Sequence, residues 1–434
     1  MRNIFIIFII SVVWTNVSTA QDDWVWTKGP TSGVISTLTI NSSGDVFCGT
    51  NMGVYRSTDD GGSWQMINNG LDVVKVTCSV NNPANQNIFI GTEGGGVFRS
   101  SDNGNSWEPV NSDSLGFFLD IASLTSDVSG NIYCGTYSIE NDSFSHLFKS
   151  SNNGKNWKRI FTTQHYMFSG RNKTAIHSIS VNNIGHIYIA TDYSYFDDGI
   201  ITYRSADNGN TWEEISSGLF SNDVFNIVLT NAERDIFLST VNNGIYRSTN
   251  NGATWDPINN NLLNKHVQSL CLASDGQLLA GTVNGYSNGG VYRSTNNGDT
   301  WRKFNNGLKN LEIYSVIFDN RGFAYAATDG GVYKTTKSII VGVEEYFNIS
   351  QIEFILSPNP ATDNISISFS NSELSNTSLS IYNSLGIEIK RFYDKELFGK
   401  SSISFSTEEL PSGVYYCSLF FGANKITKSF EVLR

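Results

Sequence analysis

Charge is scarce in this sequence. Asp, Glu, Lys and Arg make up only 16% of the 434 residues, while aromatic residues reach 13%. A disordered, self-repelling chain has the opposite balance. What charge there is leans acidic, with 29 basic against 40 acidic residues and a net −11. Nucleic acids and anionic membranes both reward Lys and Arg, so neither is an expected partner. Cysteine is equally sparse: Cys48, Cys78, Cys134, Cys271 and Cys417, with no CxxC pair and no metal-ligand spacing. Cys48 and Cys134 sit directly before a small-residue–Thr pair, where other stretches carry Ile90, Ile189 or Ala280. A position shared with small apolar residues suits a buried thiol better than a disulfide framework.

Long apolar runs are missing except at the start. Arg2, the apolar stretch Ile4 to Val13 and the small residues Ser18-Thr19-Ala20 read as a secretory signal over residues 1–20, with cleavage before Gln21. That stretch is too short to span a bilayer, and no later one is long enough. No transmembrane segment is therefore expected after signal cleavage. Nucleophile-elbow, P-loop and zinc signatures are absent as well.

Asparagine, serine and glycine are abundant, and the 39 glycines fall at regular offsets. This composition suits an all-β protein of short strands and tight turns. One phrase recurs six times, first as Gly53-Val54-Tyr55-Arg56-Ser57-Thr58-Asp59-Asp60-Gly61-Gly62-Ser63-Trp64. Its copies close on Trp64, Trp107, Trp157, Trp212, Trp255 and Trp301. A period of roughly 40–55 residues built from strands and turns indicates a propeller or similar repeat array.

A second landmark, a strand ending in a small residue and Thr, occurs at Gly49-Thr50, Gly91-Thr92, Gly135-Thr136, Ala190-Thr191, Ser239-Thr240, Gly281-Thr282 and Ala327-Thr328. The seventh copy has the aromatic strand Gly331-Val332-Tyr333-Lys334-Thr335 but no tryptophan hairpin after it. The missing piece lies at the other end, where Trp24-Val25-Trp26-Thr27 matches Trp64-Gln65-Met66-Ile67. Open blades leave unpaired strand edges. The expectation is a seven-bladed β-propeller over residues 21–337, closed by the N-terminal strand. In its first blade, strand A runs about 34–41, B about 45–50 and C 53–57, and D starts at Trp64.

The repeat stops after Lys337. Residues 338–350 read as a linker, and residues 351–434 as a small β-sandwich of six or seven short strands.

The phrase resembles the Asp-box of bacterial neuraminidase-type (BNR) repeats, also found in sortilin-type and xyloglucanase-type propellers. The third copy, Ser150-Ser151-Asn152-Asn153-Gly154-Lys155-Asn156-Trp157, loses both the Asp and the Ser/Thr before its tryptophan. The C-terminal region resembles the type A sorting domain of the type IX secretion system. The residues carrying that likeness are Pro358-Asn359-Pro360-Ala361-Thr362-Asp363, Tyr382-Asn383-Ser384-Leu385-Gly386, Leu410-Pro411-Ser412-Gly413-Val414-Tyr415 and Lys425-Ile426-Thr427-Lys428-Ser429-Phe430. The resemblance implies passage across an outer membrane by type IX machinery, to the cell surface or the medium.

The Asp-box itself is a poor catalytic candidate. Asp59, Asp102 and Asp207 become Asn152, Asn250 and Asn296 in the other copies. Asn keeps a short acceptor oxygen for turn amides and abolishes charge and proton transfer. The boxes, with Trp64, Trp107, Trp157, Trp212, Trp255 and Trp301, are therefore expected to be structural, each tryptophan packing its hairpin onto its blade. The basic residue before each box (Arg56, Arg99, Lys149, Arg204, Arg247, Arg293, Lys334) is expected to pack and solvate the outer strand.

Function is expected on the opposite face, where the B–C and D–A loops lie and where the scaffold tolerates length. Long loops there bring Tyr137, Glu140, Asp142, His146, His165, Tyr166, Phe168, Arg171, Asp192, Tyr193, Tyr195, Phe196, Asp197, Asp198 and Tyr286. Aromatic faces beside carboxylates and amides suit a glycan or protein ligand. Ligand-binding candidates are Tyr137, Glu140, Asp142, His165, Tyr166, Arg171, Asp192, Tyr193, Tyr195, Asp197 and Tyr286. No catalytic set, cofactor or metal is assigned. Asp192, Asp197 and Asp198 would be the residues for calcium, but their spacing is not that of an established loop.

The departures from a sialidase are specific. The Phe/Tyr-Arg-Ile-Pro motif is missing, since no arginine lies between Arg2 and Arg56, and only Arg171 falls on the loop face. Another glycoside hydrolase using two facing carboxylates stays open, with Glu93, Glu140, Asp192, Asp197 and Asp329 on that face. An assembly factor like the propellers that help build photosystem II is a third reading, and an exported, sorting-tagged chain fits it poorly. The leading expectation is an exported binding or adhesion module.

Overall fold

The computed structural model describes residues 23–112, 115–138, 144–163, 174–191, 201–219, 228–230, 235–284, 286–340, 354–369, 377–383, 388–392, 402–421 and 424–434. Among them, seven four-stranded antiparallel sheets precede residue 340, and a three-stranded and a four-stranded sheet follow. No helix among the described residues is long and apolar enough to cross a membrane. The protein is an all-β, propeller-type structure.

The first sheet shows how the repeat works. Its strands are Ile35–Ile40, Val46–Thr50, Gly53–Ser57 and Gln65–Met66, in sequence order. The second strand is buried at every residue and the third at all but one. Covered on both faces, these strands need no polar alternation. The small residue of each Gly-Thr pair follows from packing against the next sheet. A Cβ on Gly49 would stand 2.6 Å from Val76 Cγ1, and one on Gly91 2.5 Å from Ile121 Cγ2. The threonine closes the turn that follows: Thr50 Oγ1 donates to the Gly53 carbonyl at 2.9 Å, and Thr92, Thr240, Thr282 and Thr328 repeat the bond.

Asparagine has a further structural use. Asn68, Asn111, Asn259 and Asn305, each four positions after a box tryptophan, accept from the backbone N–H of Val54, Val97, Ile245 and Val291. Each also donates to a carbonyl of the preceding turn. This fastens the short outermost strand to the third strand where the ladder runs out.

The innermost strands are Ile35–Ile40, Val76–Asn81, Ile121–Ser126, Ile176–Val181, Val228–Thr230, Val267–Leu272 and Ile313–Phe318. Each lies against the innermost strand of the next sheet, and the seventh lies against the first. The seventh sheet takes its outermost strand, Trp24–Trp26, from the other end of the chain, with Trp24 opposite Thr335 and Trp26 opposite Tyr333.

The Asp-box turns are hydrogen-bonded internally. Asp59 Oδ1 accepts from Ser57 Oγ and from the Ser63 N–H, both at 2.8 Å, and Asp59 Oδ2 accepts from Ser63 Oγ at 2.7 Å. These donors hold the exposed Asp59 carboxyl below the usual carboxylate range, the Ser63 hydroxyl first, and the Thr211 hydroxyl lowers Asp207 to about 2. In the Asn copies the side-chain bond reverses. Asn250 Nδ2 donates to Thr254 Oγ1 at 2.8 Å, and Asn296 Nδ2 donates to Thr300 Oγ1 at 2.9 Å. The third box replaces the hydroxyl with an amide, Asn152 Nδ2 donating to Asn156 Oδ1 at 2.9 Å. The turn needs two consecutive left-handed residues, Asp60 then Gly61 in the first box and Asn103 then Gly104 in the second. Only the second of the pair must be glycine, because Asn and Asp tolerate that region.

The structure adds to two expectations. The box tryptophans pack with the core of their own sheet and also join it to its neighbour: Trp107 Nε1 donates to the Ile67 carbonyl and Trp157 Nε1 to the Val110 carbonyl, both at 2.7 Å. Three of the basic residues before the boxes also bond the next sheet. Arg56 donates to the Asn103 carbonyl, and Arg99 and Arg247 to those of Asn153 and Asn297 at 2.6 and 2.7 Å. The carbonyls of Asn103, Asn153 and Asn297, each a left-handed turn residue, thus gain a charged donor from the preceding sheet.

Residues after 350 form two sheets: Phe354–Ser357, Asn364–Phe369 and Ser402–Ser406 in one, and Glu388–Phe392, Thr377–Tyr382, Gly413–Phe421 and Asn424–Val432 in the other. Ile365 and Ile367 of the first share one buried core with Leu379, Ile381, Cys417 and Leu419 of the second. All five cysteines are free thiols. Burial pushes those of Cys78, Cys271 and Cys417 up to about 12, and those of Cys48 and Cys134 up as well.

Candidate functional site

Of the eleven ligand-binding candidates, Tyr137 alone has a described side chain. Glu140, Asp142, His165, Tyr166, Arg171, Asp192, Tyr193, Tyr195 and Asp197 lie outside the described residues, and Tyr286 is described by its backbone only, in a short 3-10 turn. His146 is buried and packs edge-on against Phe118 with ring centroids 4.4 Å apart. It belongs to the core.

Tyr137 stands at one mouth of the space enclosed by the innermost strands. A recess of about 490 Å³ opens there, lined by Tyr137, His177, Gln268 and Tyr314 together with small residues such as Ser36 and Thr77. Small-molecule sites commonly occupy some 300–1,000 Å³. The Tyr137 and His177 rings meet edge to face at 6.1 Å. Burial and a hydrogen bond to Asp329 push the Tyr314 phenol up to about 12; the phenol gives its one proton to that carboxylate and presents its oxygen as an acceptor. No Lys or Arg is among the described residues lining the recess.

The backbone explains how these side chains are aimed. Six innermost strands break register at the same place: between Ile35 and Thr37, Val76 and Cys78, Ile121 and Ser123, Ile176 and Ser178, Val267 and Ser269, and Ile313 and Ser315. Each break leaves one residue without a ladder partner, as a β-bulge does. The residue before the break is buried in every case, and the residue in it is more open. His177, Gln268 and Tyr314 are three of these bulge residues, and sequence reading missed all of them. The available signal was a repeated buried-aliphatic, variable, small-residue triplet, as in Ile176-His177-Ser178.

Comparisons with known proteins agree with this architecture. Residues 356–432 match the secretion system C-terminal sorting domain. Residues 52–190 match a model described as sortilin, neurotensin receptor 3, and residues 163–311 match the DUF6242 beta propeller domain. The chain is a propeller-type protein with a type IX secretion sorting tail, a tail that directs export to the cell surface or the medium. No curated protein matches it.

Among solved structures, it is similar to PorZ, described as an essential bacterial surface component of the type IX secretion system of Porphyromonas gingivalis. Identity is 13% and the TM-score 0.53, covering 94% of this chain and 60% of PorZ. YCF48 from Cyanidioschyzon merolae is 14% identical at a TM-score of 0.53, over 73% of this chain and 98% of that one. A streptogramin B lyase is 14% identical at 0.54, over 72% of this chain and 97% of the lyase. At these identities the likeness is one of fold.

Proposed function

We propose that this protein is an exported seven-bladed propeller, closed by its N-terminal strand, that binds a glycan or protein ligand at the face opposite its Asp-boxes. Under this reading residues 1–20 are the signal, 21–337 the propeller, 338–350 a linker and 351–434 a β-sandwich sorting domain that delivers the propeller to the surface or the medium. The Asp-boxes are structural. The observation that carries the binding assignment is the polar recess with Tyr137, His177, Gln268 and Tyr314 at its mouth. Closure is supported by Trp24–Trp26 completing the seventh sheet.

The test is binding of the mature chain, residues 21–434, to glycan and peptide arrays. Retention on a defined subset, lost in His177→Ala, is the expected result. Silence on both arrays would sink the binding reading. Release of reducing sugar from a polysaccharide panel would replace it with hydrolysis.

A further inference from the structure

The six described bulge positions fall into two unlike groups. In the first two sheets the bulge residue is a small alcohol turned to structural use: Ser36 Oγ donates to the Val76 carbonyl and Thr77 Oγ1 to the Ile121 carbonyl, both at 2.7 Å. Each acceptor is the backbone carbonyl just before the bulge of the next sheet. In the third sheet the bulge residue is Ala122, and the neighbouring Ser123 makes the equivalent bond to the Ile176 carbonyl at 2.6 Å. One half of the rim is thus low and largely spent. The other half carries His177, Gln268 and Tyr314 at the same backbone position, with Tyr137 against His177. Among the described residues, the large bulge side chains thus fall on the fourth, sixth and seventh sheets and the small ones on the first three.

We infer that the bulge position is the specificity-determining position of this propeller, and that the His177–Gln268–Tyr314 arc seats the uncharged, hydroxyl-rich end of a neutral saccharide. This rests on the binding reading above and narrows its ligand class. An imidazole, a primary amide and a phenol supply both donors and acceptors in fixed directions, which a polyol can match and an apolar ligand cannot. The Tyr137 ring offers the flat apolar surface that a sugar face covers. An anionic end group would find no Lys or Arg among the described lining residues and would meet the Asp329 carboxylate hydrogen-bonded to Tyr314. A cationic one would give up water with no carboxylate among the described lining residues.

The experiment uses the mature chain on an array whose members end in hexose or N-acetylhexosamine, or in sialic or uronic acid, followed by titration calorimetry with the best member. Neutral ends should be selected. His177→Ala/Gln268→Ala should weaken that binding at least about tenfold, with an unchanged melting temperature. Asp102→Asn, in a box turn, should bind as the parent does. Selection of acidic ends alone, or neutral binding that the double variant leaves intact, would overturn the inference. Peptide binding without glycan binding would overturn the sugar assignment while leaving the binding module in place. Silence on both arrays removes the module and the inference together.

Discussion

Trp24 and Phe304 are 280 positions apart, yet the Trp24 indole N–H donates to the Phe304 carbonyl at 2.8 Å and the two rings pack at 5.5 Å. Phe304 lies three residues after Trp301, and the same offset recurs at every junction. Trp107 reaches Ile67, Trp157 reaches Val110, Trp212 reaches Ile160, Trp255 reaches Ile215 and Trp301 reaches Ile258. Trp64 completes the series by donating to Thr27, three residues after Trp24, through the hydroxyl rather than the carbonyl. Trp24 therefore does for the seventh sheet what a box tryptophan does for the others, with no box around it.

Removing that bond should loosen the junction. Trp24 is 1% exposed, so Trp24→Phe keeps most of the apolar contact and leaves a buried carbonyl unpaired. The expected cost is about 1–3 kcal/mol, read as a lower denaturation midpoint. Trp24→Ala adds a cavity and should cost about 3–5 kcal/mol. If Trp24→Phe melts with the parent, the N-terminal strand does not hold the seventh sheet to the sixth.

The junction between the seventh and first sheets is charged where others use amides. Elsewhere the left-handed box residue is Asn, as where Asn103 Nδ2 donates to Asp45 Oδ2 at 2.7 Å. In the first box it is Asp60, which accepts from Arg321 and lies 3.3 Å from Lys334 Nζ. Arg321 also bonds the buried Asp319 at 2.7 Å. The Arg321 hydrogen bond holds the Asp60 carboxyl below its ordinary 3.8. The folded state therefore binds fewer protons at Asp60 than the unfolded state. The resulting stability is present above pH 3.8 and is lost as pH falls through the folded value. Both side chains are partly exposed, so the pair is worth about 1 kcal/mol. Asp60→Asn should melt below the parent at pH 7, and the gap should close as the pH falls below 3.8. A gap that persists in acid would assign the loss to something other than charge.

Asp and Asn should be interchangeable in the boxes. Asp102 Oδ1 accepts from the Ser106 N–H at 2.9 Å, and Asn296 Oδ1 accepts from the Thr300 N–H at 3.1 Å. Asp102→Asn should shift stability by less than about 0.5 kcal/mol, while Asp102→Ala strands the turn amide and should cost about 1–2 kcal/mol. Equal losses in the two variants would mean that the charge itself matters.

What sequence reading recovered and what it missed divide along the range of the interaction. The box turn and the Thr50–Gly53 turn close within a few residues, so their chemistry is visible in a short window. The match of Trp24 to Trp64 was visible as well, because repetition carries it. The carbonyl that Trp107, Trp157, Trp212, Trp255 and Trp301 each meet was not, since it lies 40 to 52 residues back in the preceding sheet and any residue can supply a carbonyl. Nor were the bulges: Ile176-His177-Ser178 looks like ordinary strand alternation until Ile176 pairs with Thr191 and Ser178 with Ala190. Loop length drew attention to Tyr137, while the strand residue beside it, His177, had no unusual neighbourhood in sequence.

The sorting tail makes the last prediction. Its match spans residues 356–432, and its core buries Leu379 between the two sheets. A charge there would be unpaired and desolvated, which costs more than a small domain can absorb. In a host with a type IX system, Leu379→Asp and deletion of residues 351–434 should both stop the propeller from reaching the surface or the medium. The propeller should still fold in both, since its sheets are complete before residue 340. The readout is the location of the protein by fractionation, paired with protease resistance of the propeller. Normal delivery of the deletion variant would show that export does not depend on this domain. Failure of the propeller to resist protease would instead show that the two parts fold together.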